Sequence, residues 1–109
     1  MIQLLALNQI IKNKDKFLLD HTTVEHFCNY ADEYIFIKDW YVVNGTIPSE
    51  KEVLSLFPNF VSVNNVLTDE EILTKLQEER IYYATNWFME EHKDDPYLKE
   101  HFIEFIKTL

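Results

Sequence analysis

A single glycine, Gly45, stands among 109 residues, and prolines occur only at Pro48, Pro58 and Pro96. A β-sandwich or barrel needs many tight turns, and this chain lacks the residues to make them. The sequence therefore points to helices joined by short polar links. Hydrophobic residues make up 47% of the chain and aromatics 15%, which excludes disorder and low complexity. A chain of this length suits one domain and buries about two-thirds of its unfolded surface, enough for a core without staples.

The opening run Ile2, Leu4, Leu5, Ala6, Leu7, Ile10 and Ile11 points to nearly all sides of a helical wheel, so this helix is expected to be central or contacted on two sides. Asn13 to Asp15 interrupt it, and a short segment around Phe17, Leu18 and Leu19 follows. Thr22 and Glu25 have capping-box spacing for a short helix through Val24 and Phe27. Ala31 to Val43 is rich in β-branched and aromatic residues, and propensity alone says strand. Its length, its Lys38-Asp39 interruption and the following Asn44-Gly45 favour a helix, expected to be fully buried, although Asn-Gly is also a hairpin signal. Ser49 can cap a short helix with Val53, Leu54, Leu56 and Phe57 as apolar members, ended by Pro58. Residues 58–67 read as a loop whose Phe60, Val61, Val63 and Val66 tuck back onto the core.

The last third carries the clearest pattern. Thr68 and Glu71 form a capping box, with Asp69, Glu70 and Glu71 against the positive end of the helix dipole. Ile72, Leu73, Leu76, Tyr83, Ala84, Trp87 and Phe88 form one stripe of a long helix. Asp95 can cap a second helix with Pro96 in its first position, and Leu98, Phe102, Phe105, Ile106 and Leu109 form a second stripe. The expected fold is all-α: a small helical bundle head over 1–67, then an antiparallel helical hairpin over 68–109. Tyr82, Met89, Tyr97 and Ile103 lie off both stripes. They are either scattered surface residues or the face on which two hairpins pack together.

Charge and cysteine usage narrow the function classes. Ten Lys and Arg against nineteen Asp and Glu give a net charge of −9, so phosphate backbones repel the surface and direct nucleic-acid binding is not expected. Residues 69–100 hold ten acids and four bases, a local balance of −6. Glu78, Glu79, Glu90 and Glu91 are the candidate docking face for a basic partner, with a solvated acidic surface as the plain alternative. Cys28 is the only cysteine, expected as a small buried hydrophobe, so no internal disulfide forms. Met1 to Ile11 is too short to span a bilayer and lacks a basic leader and a cleavage site. The expected location is the cytoplasm, away from membranes.

Catalytic constellations are missing. One glycine rules out both G-x-x-x-x-G-K-[ST] and G-x-G-x-x-G. His21, His26, His92 and His101 form neither H-x-x-x-H nor H-E-x-x-H, so no metal, cofactor or catalytic residue is assigned. The pairs Glu70-Glu71, Glu78-Glu79 and Glu90-Glu91 fit a solvated helix face better than acid–base work, which needs burial to shift a pKa. Arg80, within the apolar stripe, is expected to pack its stem and pair with Glu79 or a cross-hairpin acid.

The order of segments resembles the N-terminal domain of DnaB-type replicative helicases, in the phage-encoded form, from Leu4 to about Ile106. The opening Leu4-Leu5-Ala6-Leu7 and "DKFLLDH" look like that domain's first stretch, and "TVEHF" like its short helix. "ADEYIFIKDWYVVNGTIPSEKEVLSLFPNF" is similar to its central helix, Gly turn and Pro-Ser helix, and "LTDEEILTKLQEERIYYATNWFMEEHKDDP" to the first arm of its terminal hairpin. The resemblance implies hairpins pairing into dimers, which in whole helicases build a trimeric collar above the motor ring. It also implies contacts with primase or a helicase loader and no chemistry in the domain itself. The motor domain is absent from these residues, so the chain alone is expected neither to hydrolyse ATP nor to unwind DNA. A different class of function, a small acidic regulator that blocks a basic replication or transcription protein or mimics DNA, is the alternative. A metal-dependent enzyme using the histidines and acids is a third.

Overall fold

The computed structural model describes residues 1–109 and contains helices only. They are α1 (Ile2–Asn13), α2 (Lys16–Asp20), a 3-10 turn (Val24–Phe27), α3 (Ala31–Asn44), α4 (Glu50–Leu56), α5 (Asp69–Glu91) and α6 (Leu98–Ile106). The all-α reading of the sequence is the observed fold, and Ala31 to Val43 is helix rather than strand.

Three helix starts are local hydrogen-bond circuits. Ser49 with Glu52 opens α4 and Thr68 with Glu71 opens α5, each through reciprocal side-chain and backbone bonds. The Thr68 amide holds the Glu71 carboxyl below the usual range. The third box is shifted by one residue from its expected place: Thr23 and His26 form it. Thr22 is instead buried, its hydroxyl donating to the Leu18 carbonyl at 2.9 Å. Two left-handed residues end helices, Lys14 (φ 51°) after α1 and Gly45 (φ 72°) after α3. At Gly45 the missing Cβ makes that conformation cheap.

The core sits in the head. Leu4, Ala6, Leu7, Ile10 and Ile11 of α1 are buried against Leu18, Leu19, Phe27, Tyr34, Ile37, Ile47 and Val53. The helix is contacted on two sides, by α2 and by α5. Only Ile72 and Leu76 of α5 enter this core. Phe27 stacks on Tyr34 with centroids 4.6 Å apart, and the Tyr34 hydroxyl donates to the Thr22 carbonyl at 2.7 Å. Buried Asn8 ties down the long loop: its amide donates to the Val61 carbonyl at 3.0 Å and its oxygen accepts from the Val63 amide at 3.0 Å. A buried polar group satisfied on both sides fixes a loop that has little apolar grip of its own.

Several burial expectations are corrected. α3 is not fully buried: Tyr34 and Ile37 are covered, while Ile35, Val42 and Val43 face solvent because no element packs on that side. In α4 only Val53 is buried, with Leu54 and Leu56 exposed. Of the loop residues, Phe60 is buried and Val63 packs on the core, but Val61 is exposed and Val66 is 96% exposed, since Asn8 holds the backbone at Val61 and Asn65 holds it at Leu67, which leaves both side chains free. Cys28 is exposed, because Phe27 takes the inward position at the end of the 3-10 turn. α6 starts at Leu98 rather than Pro96: the Asp95 carboxylate accepts from the Tyr97 amide at 2.8 Å and from the His101 ring, which closes a turn first.

Beyond Leu76 the molecule changes character. The second half of α5 leaves the head, and α6 folds back on its end, where Phe88 meets Phe105 at 4.7 Å and Phe102 at 5.6 Å. Phe88 is the one buried residue after Leu76, and α6 has none. The consequence is shape. The radius of gyration is 16.2 Å and the extents are 51 × 26 × 25 Å, against about 13 Å expected for a compact chain of this length. The accessible surface, 7007 Å², likewise exceeds the roughly 6,400 Å² typical of this mass.

Candidate functional site

The joint between head and arm is polar. Arg80 pairs with Glu25 of the 3-10 turn, neither with Glu79 nor with an acid of α6. The reason is rotation: one residue earlier, Glu79 turns toward α1 and accepts from the Gln3 amide. His26 bonds Gln77 at 3.2 Å. These contacts rim a cleft of about 480 Å³ between Gln3, Glu25, Cys28, Arg80, Tyr83 and the last two residues of the chain. Every polar side chain buried here or elsewhere has a hydrogen-bond partner. In the cleft Gln3, Glu25, His26, Glu79 and Arg80 are already engaged with one another or with Gln77. No group of three or more His, Cys, Asp or Glu stands close enough together to hold a metal ion.

The arm carries the exposed apolar surface. Tyr82 is 63% exposed and Tyr97 64%, and Met89 and Ile103 are also exposed. Tyr82 and Met89, seven residues apart, point within about 20° of each other round α5. Tyr97 stands at the start of α6 with its ring near His101. The sequence stripe understated this surface. Tyr83, Trp87 and Ile106, expected to face inward, are exposed, Trp87 by 56%, and Ile81 joins them. Only Ile72, Leu76 and Phe88 of α5 are fully covered, because α6 is a single helix of nine residues whose Phe105 touches Trp87 without covering it. The 23-residue length of α5 beside the nine of α6 is the signal that could have shown this from sequence.

The four acids proposed as a docking face do not share one. Glu79 faces the head, Glu90 lies 3.5 Å from Lys93, and Glu78 and Glu91 are free and exposed. Thirteen residues separate Glu78 from Glu91, which sets them about 140° apart round the helix. The acidity of α5 is spread round its circumference. No helix is long and apolar enough to cross a membrane.

Compared with protein-family models, with curated proteins and with solved structures, the chain matches none.

Proposed function

We propose that this chain is a non-catalytic assembly and docking domain of a replicative DNA helicase, in which the projecting arm mediates self-association and other surfaces receive primase or a helicase loader. The observation that carries the reading is the exposure of Tyr82, Met89, Tyr97 and Ile103 on an arm that projects from a structure whose core lies elsewhere. Large apolar side chains left open together on a projecting arm are the kind of surface that marks interaction sites in folded proteins. A twin arm is its simplest cover, because the same patch then serves both copies. The helicase assignment rests on the order of segments from Leu4 to Ile106 described above.

Light scattering or sedimentation of the full chain at micromolar concentration tests the association. A dimer or larger assembly is expected. Tyr82→Glu is expected to dissociate it with helicity unchanged, because the ring lies outside the core. A strict monomer at all concentrations removes the basis of the reading.

The second reading is a small acidic regulator of a basic protein. It draws on the −6 balance of residues 69–100 and the exposure of Glu78 and Glu91. Binding to a basic replication or transcription protein that weakens steeply with salt favours it, and binding indifferent to salt opposes it.

A further inference from the structure

A second unpartnered surface lies on the head, where α3 and α4 meet; only its Tyr30 end borders Glu79 and Tyr83 of α5. Phe36, Trp40 and Val43 follow one another along one side of α3, and the Phe57 ring closes edge-on against Phe36 at 5.9 Å. Phe36 also touches Trp40 at 5.8 Å. Leu56 (60% exposed) and Val43 (80%) are open on these two elements, and the Phe36, Trp40 and Phe57 rings are half-buried. Phe57 also lines a cavity of about 340 Å³ between Tyr30, Glu33 and residues 56–60, so it joins the aromatic row to that hollow. From Glu33 to Val43 is about 15 Å of helix, enough to seat roughly ten residues of a second helix.

Its charge selects the occupant. Glu33 lines the cavity and has no ion-pair partner. Residues 30–60 hold five acids and two bases, and one of those bases, Lys38, is engaged 3.8 Å from Asp20. The negative end of the α3 dipole lies beside Val43 with no basic residue in its last turn. We propose that this groove binds a basic amphipathic helix of a partner protein, with its apolar row laid along Phe36, Trp40 and Phe57 and its cationic groups set at Glu33 and at the C-terminal end of α3. A second copy offers no such helix, since every helix of this chain except the buried α1 is neutral or acidic. The inference is independent of arm pairing and gives the docking role a place that the dispersed acids of α5 do not.

The two tryptophans provide the test, because Trp40 lies in the groove and Trp87 on the arm. The full chain, carrying Tyr82→Glu so that arm association cannot interfere, is labelled with ¹⁵N and titrated with a synthetic leucine–lysine amphipathic helical peptide. The Trp40 indole signal is expected to shift while that of Trp87 stays in place. Leu56→Asp and Glu33→Lys are each expected to weaken binding by about tenfold with unchanged circular dichroism, as loss of a central anchor does. Equal binding of a leucine–glutamate peptide, a shift at Trp87 in place of Trp40, or undiminished binding by both folded variants overturns the proposal.

Discussion

Asp69 occupies the first position of α5, and its carboxylate shares the Gln9 amide with Asp15, the cap of α2. Burial, then the hydrogen bond and charge of Asp15, push the Asp69 carboxyl up from 3.8 to about 6. A carboxyl whose folded value is raised favours folding in its protonated form. Its contribution is fully present below the unfolded value of 3.8 and is lost as pH rises through about 6. Asp69→Asn, a mimic of the neutral form, is therefore expected to raise Tm by a few degrees at neutral pH and to leave it nearly unchanged at pH 4, an effect held small by solvent screening at this partly exposed site. Thermal melts of both chains across this range read the difference directly. Nothing in the spacing of Asp15 and Asp69 announces the pair, because it forms only when the turn after α1 meets the start of α5. Arg80 teaches the same lesson: its partner Glu25 lies 55 residues away.

At the scale of elements, α6 depends on one residue of α5. Phe88 stacks between Phe105 and the His92 ring, 4.7 and 4.0 Å away, and is the arm's single buried side chain. Phe88→Ala removes roughly 3 kcal/mol of packing from a helix of nine residues, which is too short to hold itself in water. The expected outcome is local: α6 frays, circular dichroism loses about one short helix, and amides of α6 exchange rapidly while those of α1 keep their protection. Uniform loss of protection across the head would show instead that arm and core unfold together. Helix starts were legible because a capping box closes over four consecutive residues, as at Ser49–Glu52 and Thr68–Glu71. Burial was less legible. α3 looks like a core helix by composition, yet half of its circumference meets no neighbour.

At the scale of the molecule, an elongated shape and an acidic arm act against each other. Two arms with a balance of −6 each repel while their apolar sides attract. Screening removes the first force and leaves the second, since the Debye length falls from about 10 Å at 0.1 M salt to about 3 Å at 1 M. Self-association is therefore expected to tighten with added salt, which sedimentation equilibrium over that range measures. Binding of a basic partner is expected to weaken over the same range, so one series separates the two proposed uses of the surface.

Local residue patterns were enough to make the chain helical, to start most helices and to bound α3 and α5 by their caps and stops. Those features are written in hydrogen bonds between residues three or four apart and in the left-handed freedom of Gly45. The tertiary structure decided which apolar residues are covered. Tyr83 and Trp87 share a stripe with Ile72 and Leu76, yet the first two are largely exposed and the others lie in the core, because α1 packs on the first half of α5 while α6 is one short helix whose Phe105 touches Trp87 without covering it. A stripe states that a side wants cover; the length and placement of distant elements determine how much of it they can provide.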